Sequence, residues 1–322
     1  TIMTGDKMDE LFIKSIETKD FELFQKCPKT NLHTHALLSS NRDYFKDYYH
    51  RDLEIFIKND NIASLSQFIK NNIIDISTTI EGQLNLFQLT IKTAIYNGVT
   101  RLDTSVDYRL VKELYNGNYK KYIDDLNEIK NMYKDQIIVN FDLGISRNAY
   151  NKNDYDIIIN LLNTNFFYGI DLFGDELAKD INTFKDIYMC AKKNKMILKA
   201  HVGEFGDAQS ILEAIDILNL DVVQHGINIV NDIQVLEKVK KKNIIFNVCP
   251  ISNLYLKRID DIKKHPIRKM FDSGLIVTIN TDDELIFNNS LFDEYITLYQ
   301  NNVFNATELN KIRNNSLNIF FN

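Results

Sequence analysis

Short apolar runs, rich in β-branched residues, alternate with longer amphipathic stretches along most of the chain. The stretches repeat apolar residues three or four positions apart, as over residues 208–218, and predict helices. The runs predict eight strands, at residues 30–35, 99–105, 137–145, 167–173, 196–201, 221–225, 244–249 and 275–281. Apolar strands that alternate with helices are typical of a parallel sheet buried on both faces. Eight such units predict an α/β fold, a closed (β/α)8 barrel of the TIM type.

A doubly wound open sheet is the alternative fold. That fold normally carries a glycine-rich first turn that binds a nucleotide, whereas the turn here reads His-Thr-His-Ala at residues 33–36. The chain has only three prolines and no glycine-rich linker, so we expect a single domain over residues 1–322.

The connection between the first two strands is longer than one crossover helix requires. We expect residues 36–80 to form a helical insertion that leaves the active-site face of the barrel and covers the pocket as a lid. The alternative is that these residues form a helical insertion on the surface, in which the aromatic side chains pack against one another.

Composition narrows the classes of function. The net charge of -6 and the lack of a basic stripe interleaved with aromatic residues argue against a nucleic-acid partner. No apolar run reaches the length of about 18 residues that a membrane span needs. Three widely separated cysteines indicate reduced thiols, and no signal peptide is recognisable, so we expect a cytoplasmic protein with a small-molecule substrate. The oligomeric state stays open.

Histidines and aspartates stand where predicted strands end. The alternation of a strand places His33 and His35 on one face, His201 ends the fifth run, and Asp282 follows the eighth. Parallel strands gather their carboxyl ends at one face of a barrel, so these side chains can meet. Three neutral imidazoles and one carboxylate suit zinc or another divalent first-row metal and leave room for water. Taken singly, paired histidines can be coincidental and the Asp282-Asp283 pair can cap a helix.

Six segments, between about Pro28 and Tyr295, resemble the adenosine deaminase family of the amidohydrolase superfamily, and they follow that family's order. They read PKTNLHTH, GIDLFGDE, HVGE, QHG, CPISN and NTDDELIF, at residues 28–35, 169–176, 201–204, 224–226, 249–253 and 280–287. The resemblance implies a metal-dependent barrel hydrolase that releases ammonia from an aminopurine nucleoside or nucleobase.

The resemblance also implies a role for each residue of the motifs. One zinc ion per chain, which lowers the pKa of a bound water to about 7, would be held by His33, His35, His201 and Asp282. Glu204 would protonate a ring nitrogen and pass a proton to the leaving ammonia, and His225 would orient the water as base or electrostatic stabiliser. A protonated Asp283 and the backbone N–H of Gly174 would contact other ring nitrogens. The plain alternatives are a helix cap at Glu204, a core imidazole at His225 and a turn at Gly174.

One departure from the family pattern bears on the substrate. The family typically reads Leu-Asp-Gly after the second metal histidine, and its aspartate bonds the ribose hydroxyl, whereas this chain has Leu37 and Leu38 there. A hydroxyl that faces Leu37 loses a hydrogen bond worth about 1–3 kcal/mol. We therefore expect a free nucleobase or a nucleoside with a modified 5' group, unless Leu37 contacts the lid and the ribose is held elsewhere.

Two further residues carry expectations. Lys199 shares a strand face with His201 one layer deeper, and we expect it to pair with Asp103 or Asp171. His265, in a polar stretch before Pro266, is expected at the surface.

Three alternatives to this site and function stay open. A carboxylated Lys199 that bridges two metals is an alternative to a single zinc. A superfamily relative that hydrolyses another C–N bond and a non-catalytic metal-binding barrel are the alternative functions.

Overall fold

Eight parallel strands in chain order form the core of the protein. The structure is a computed structural model that describes residues 5–319. Each strand pairs in parallel with the next along the chain, and the strands are β1 Lys29–Asn31, β2 Val99–Asp107, β3 Ile138–Ser146, β4 Gly169–Phe173, β5 Ile197–Val202, β6 Val222–His225, β7 Ile245–Val248 and β8 Ile276–Ile279. The sequential order and the alternation with helices confirm the predicted (β/α)8 barrel and exclude the open doubly wound sheet.

Helices surround this sheet and precede its first strand. They are α1 Gly5–Glu17, α2 Phe21–Gln25, α3 Arg42–Tyr49, α4 Ala63–Asn72, α5 Ile74–Ser77, α6 Ile80–Tyr96, α7 Arg109–Glu113, α8 Tyr119–Tyr133, α9 Tyr155–Leu162, α10 Lys185–Lys193, α11 Ala208–Leu218, α12 Ile233–Lys240, α13 Pro250–Tyr255, α14 Ile267–Asp272, α15 Glu284–Phe287, α16 Leu291–Gln300 and α17 Ala306–Leu317. Short 3-10 turns span Lys152–Asp154, Ile181–Phe184, Ile227–Asn231 and Ile262–Lys264. Within residues 5–319, no helix combines the length and the hydropathy that a membrane crossing demands.

The seam between the first and last strands is closed mainly by side chains. Asn31 Nδ2 donates to Thr281 Oγ1 across 2.8 Å, and the backbone N–H of Leu32 donates to Asn280 Oδ1 across 2.7 Å. Thr34 forms an isolated parallel bridge with Asp282. The seam therefore brings the first histidine motif beside the Asp-Asp motif.

The first strand is shorter than predicted. Its regular ladder ends at Asn31, and His33 and His35 lie beyond it, where only single bridges continue the pairing. His35 bridges to Ser105 of β2. Both histidines consequently sit at the carboxyl end of the barrel rather than within a continuous strand.

The barrel interior holds a buried charge network beneath this end. Lys199 shares a face of β5 with Ile197 and His201, whereas Leu198 and Ala200 pack in the core between strands and helices. Lys199 Nζ lies 2.9 Å from Asp103 Oδ2 and 2.7 Å from Asp142 Oδ2. The predicted partner Asp103 is confirmed. Asp171 lies beside His201 instead. Asp142 is a second partner of Lys199 that was not predicted.

The segment between β1 and α6 packs on the carboxyl end of the barrel. Apolar residues of its helices α3, α4 and α5 form one cluster with side chains that follow β7 and β8, including Ile251, Leu256 and Phe287. Arg42 Nε and Nη2 donate to the carbonyls of Leu285 and Ile286, each across 2.9 Å. These contacts fit the expected helical insertion, and its movement as a lid stays a prediction.

Candidate active site

The sequence motifs converge at the carboxyl end of the barrel. His201 lies near the end of β5, His225 ends β6, Glu204 lies in the loop after β5, and Asp282 follows β8. His225 and Asp282 have positive φ angles of 64° and 60°. Residues other than glycine rarely adopt this left-handed conformation, and when they do they cluster at functional sites.

The side chains of His33, His35 and His201 approach one another or Asp282 through nitrogen and oxygen atoms. His33 Nε2 lies 3.0 Å from His201 Nε2 and 3.5 Å from Asp282 Oδ1, and the same oxygen lies 3.4 Å from His35 Nε2. Two ligands that each lie about 2.1 Å from a tetrahedral zinc ion are roughly 3.4 Å apart. Three imidazoles and one carboxylate are donor types that suit a zinc ion, and these three separations are close to that value.

Hydrogen bonds at Nδ1 hold the imidazole rings of His201 and His35 in place. Nδ1 of His201 lies 3.1 Å from the carbonyl of Leu172 and 3.2 Å from Asp171 Oδ1. Both partners are acceptors, so Nδ1 carries the proton and Nε2 keeps its lone pair. Nδ1 of His35 lies 2.9 Å from Ser105 Oγ. In the described residues His33 Nδ1 has no hydrogen-bond partner.

Charge at the site also favours a cation. Burial and the neighbouring imidazole of His225 hold the pKa of His33 well below its ordinary value. Burial also acts to lower the pKa of His35. The acidic side chains of Asp283 and Asp282 outweigh this effect and raise the pKa of His35 to about 9. The Asp282 carboxylate thus attracts positive charge to this point, which a divalent cation would supply.

Glu204 and His225 are linked by one amide side chain. Asn253 Nδ2 donates to Glu204 Oε1 across 2.8 Å and lies 3.2 Å from His225 Nδ1. His225 Nε2 lies 3.8 Å from Asp282 Oδ2, the oxygen that accepts a 2.6 Å hydrogen bond from Ser252. Burial and the negative charges of Asp282 and Glu176 raise the pKa of Glu204 well above its ordinary value.

The prediction that His265 lies at the surface is wrong. Its side chain is buried, with 2% of the residue exposed. Nε2 of His265 lies 3.2 Å from Asn253 Oδ1, and Nδ1 accepts from the backbone N–H of Ile267 across 3.0 Å. The 3-10 turn before His265 and helix α14 after it direct the ring inward, and its polar neighbours in the sequence hide this.

Glu176 has a role that was not predicted from the sequence. Its carboxylate accepts from the backbone N–H groups of Gly203, Phe205 and Gly206. It thereby holds the loop that carries Glu204. In the sequence, Glu176 is recognisable only as the acidic last residue of the GIDLFGDE motif. Nothing in the sequence indicates which backbone N–H groups it binds.

The three expected substrate contacts, Leu37, Gly174 and Asp283, follow the carboxyl ends of β1, β4 and β8 in the chain. Asp283 is buried, Oδ1 has no partner in the described part of the chain, and burial together with Asp282 raises its pKa well above the ordinary value. Gly174 has φ 91°, and a Cβ there would lie 2.4 Å from Asn148 Oδ1, so glycine is required. Leu37 is half-buried between the barrel core and the helical segment. Their contacts with a substrate stay predictions.

Comparisons with known proteins agree with this arrangement. The family model described as Adenosine deaminase matches residues 158–321. A Treponema pallidum (strain Nichols) protein, provisionally named adenosine/adenine deaminase, is 34% identical over 280 residues, which are 85% of this chain and 93% of that protein. The adenosine deaminase of Plasmodium gallinaceum is 28% identical and covers 95% of this chain and 91% of its own length.

Solved structures show the same fold. An adenine deaminase from Arthrobacter aurescens superposes with a TM-score of 0.80 at 21% identity and covers 92% of this chain and 94% of its own. An amidohydrolase from Burkholderia ambifaria with bound Zn has a TM-score of 0.76 at 19% identity and covers 100% of this chain and 90% of its own. Motif order, family match and the extent of the shared sequence lead to one conclusion: the chain belongs to the adenosine deaminase family.

Proposed function

We propose that the protein binds one zinc ion through His33, His35, His201 and Asp282 and uses it to release ammonia from an aminopurine. The chain is a deaminase by family, a hydrolase that acts on C–N bonds of cyclic amidines. The observation that carries the proposal is the convergence of His33 Nε2 and His35 Nε2 on Asp282 Oδ1, at 3.5 and 3.4 Å, with the Nε2 atoms of His33 and His201 in contact.

The choice of His35 over His225 as a ligand rests on which carboxylate oxygen each one faces. Distance alone groups His225, rather than His35, with His33, His201 and Asp282, and it groups His35 with Asp282 and Asp283. His33 and His35 share Oδ1 of Asp282, whereas His225 faces Oδ2, which already accepts from Ser252. We therefore assign His35 to the metal and His225 to the reacting water.

The residues around the ion supply the proton transfers. When bound, zinc supplies a water nucleophile at neutral pH. The raised pKa of Glu204 favours its protonated form, which gives a proton to the ring nitrogen beside the amino-bearing carbon. After water has added to that carbon, the added oxygen gives up its two protons as the C–N bond breaks: one passes through Glu204 to the departing ammonia, and the other restores protonated Glu204. A protonated Asp283 donates to a ring nitrogen on the other side of the base.

The substrate we favour is an aminopurine that does not need a hydrogen bond to a 5' hydroxyl group, either a free nucleobase or a nucleoside with a modified 5' group. Leu37 cannot accept a hydrogen bond from a ribose hydroxyl, and it packs between two apolar clusters. The name of the Treponema pallidum protein covers adenosine and adenine, and that of the Arthrobacter aurescens protein covers adenine. Adenine and 5'-modified adenosines are therefore the first compounds to assay. We expect the reaction to take place in the cytoplasm on the free small molecule.

Ammonia release from a substrate panel tests the proposal. The panel contains adenine, adenosine, deoxyadenosine, 5'-modified adenosines, guanine and pterins, with zinc measured in the same preparation. We expect release from at least one adenine compound and one zinc per chain. Release only from guanine or pterins would indicate that the protein is a superfamily relative that hydrolyses a different C–N bond. No release from zinc-loaded protein would favour a non-catalytic barrel, and about two metals per chain would contradict the mononuclear site.

A further inference from the structure

A line of hydrogen bonds runs from the backbone of α14 to both proposed catalytic residues. The N–H of Ile267 donates to Nδ1 of His265, whose Nε2 lies 3.2 Å from Asn253 Oδ1. Asn253 Nδ2 in turn faces Glu204 and His225. His265 and Asn253 are both buried, and neither belongs to the proposed zinc or substrate contacts.

The direction of every bond in this line follows from its first donor. A backbone N–H can only donate, so His265 Nδ1 is an acceptor and carries no proton. Burial lowers the pKa of His265 to about 3, which keeps the ring neutral and puts its one proton on Nε2. That proton requires an oxygen opposite, so Asn253 presents Oδ1 to His265 and its NH2 group to the active site.

The NH2 group then restricts both residues that it contacts. Its two hydrogens point to Glu204 Oε1 and to His225 Nδ1, at 2.8 and 3.2 Å. Since Nδ1 of His225 accepts, the neutral His225 ring carries its proton on Nε2, on the side of Asp282 Oδ2. A nitrogen that carries a proton cannot bind a metal, and it can donate to an oxygen beside it.

We infer that His265 is a positioning residue that acts through Asn253 to hold Glu204 in place and to fix His225 as an Nε2–H donor. This role rests on the proposed function, and it explains what holds Glu204 and His225 in a fixed arrangement. With the amide reversed, the Asn253 oxygen would face the Glu204 carboxyl group and the Nδ1 of His225 would lose its donor.

Two substitutions separate this role from simple packing. His265→Asn keeps an acceptor close to the Ile267 N–H, as in an Asx turn, but is too short to reach Asn253. His265→Gln extends an amide NH2 to the position of Nε2. His50→Asn is the control: His50 is exposed at the end of α3, and its left-handed backbone conformation is one that asparagine tolerates.

Steady-state kinetics on the best substrate of the panel gives the first readout. We expect His265→Asn to lower kcat by roughly 10- to 100-fold with KM changed by less than about threefold, and His265→Gln to recover most of the loss. Zinc content and melting temperature are measured for each variant. Wild-type turnover in His265→Asn, or equal losses in both variants, would overturn the inference.

Nitrogen-15 NMR of histidine side chains in the zinc-loaded wild-type protein gives the second readout, which needs neither turnover nor a stable variant. We expect His265 and His225 as neutral rings with the proton on Nε2. A proton on Nδ1 of either ring would overturn the inference. If the wild type releases no ammonia from any compound, the proposed function fails, while these spectra still decide whether the hydrogen bonds run in the direction described.

Discussion

Asp171 Oδ1 lies 3.2 Å from Nδ1 of His201, across the boundary between β4 and β5. The carbonyl of Leu172 accepts from the same nitrogen at 3.1 Å. A carboxylate in this position fixes the tautomer and the ring orientation of an imidazole and raises its basicity as a ligand. Asp171 therefore supports the proposed zinc site without touching the ion.

Removal of this carboxylate should weaken metal binding. We expect Asp171→Ala to lower zinc affinity by about 10- to 100-fold, because His201 loses one of the two acceptors that hold its ring. Competition with a chromophoric chelator measures the affinity. Asp216→Ala, at an exposed ion pair on α11, is the control and should leave it unchanged. Equal affinities for all three proteins would contradict this role.

Replacement of Glu204 and of His201 should separate catalysis from metal binding. Glu204→Gln can still accept from Asn253 but cannot give a proton, so we expect zinc to stay while turnover falls by about 10²- to 10⁴-fold. His201→Ala removes a proposed ligand and should lose the zinc. Elemental analysis and ammonia assays on both variants check this. Complete zinc loss in Glu204→Gln would place Glu204 among the ligands.

A carboxylate at position 37 should shift substrate preference toward nucleosides. Leu37→Asp provides an acceptor for a ribose hydroxyl, and a recovered hydrogen bond is worth about 1–3 kcal/mol. We expect kcat/KM for adenosine to rise relative to the preferred substrate. Leu177→Asp, the same change at an exposed residue, is the control. An unchanged or lower ratio would show that Leu37 does not select the substrate.

The charge network inside the barrel should be essential for stability. Lys199→Met keeps much of the side-chain volume but leaves Asp103 and Asp142 without their ammonium partner, so we expect a loss of about 3–5 kcal/mol. Lys242→Met breaks the exposed pair with Asp216 and should cost less than about 1 kcal/mol. Urea unfolding measures both. Similar small losses would mean that the interior pairs contribute no more than a surface pair.

Acidification should destabilise the protein in part through His265. Burial lowers its pKa to about 3, whereas an unfolded histidine titrates near 6.5. Between these values the unfolded chain binds the extra proton, so stability falls with falling pH by about 1.4 kcal/mol per pH unit. His265→Gln lacks this contribution. The difference in unfolding free energy between the metal-free wild type and this variant should shrink from pH 6 to pH 4, and a constant difference would contradict the prediction.

The barrel and the convergence of its motifs were predictable because both follow from local patterns. Strand runs end at His201, His225 and Asp282, and parallel strands deliver their ends to one face whatever the intervening sequence is. The partners of those side chains were not predictable. Asn253 and His265 meet through helix and turn geometry, and Glu176 binds backbone groups that have no signature in the sequence. Asp142 lay within a predicted strand, but its pairing with Lys199 depends on the relative register of separate strands.

The site can form only when β1 and β8 are both present and paired, because each supplies part of it. Asn31 and Thr281 meet at the seam between these strands although they are 250 residues apart, and His33 and Asp282 meet just above them. Contacts of such separation carry a large loop-closure entropy and require both ends of the chain to be present. A nascent chain that has not yet supplied its eighth strand cannot offer His33 and Asp282 to the same ion. If the proposed zinc site is correct, binding of the ion by all of its proposed donors would report that the barrel has closed.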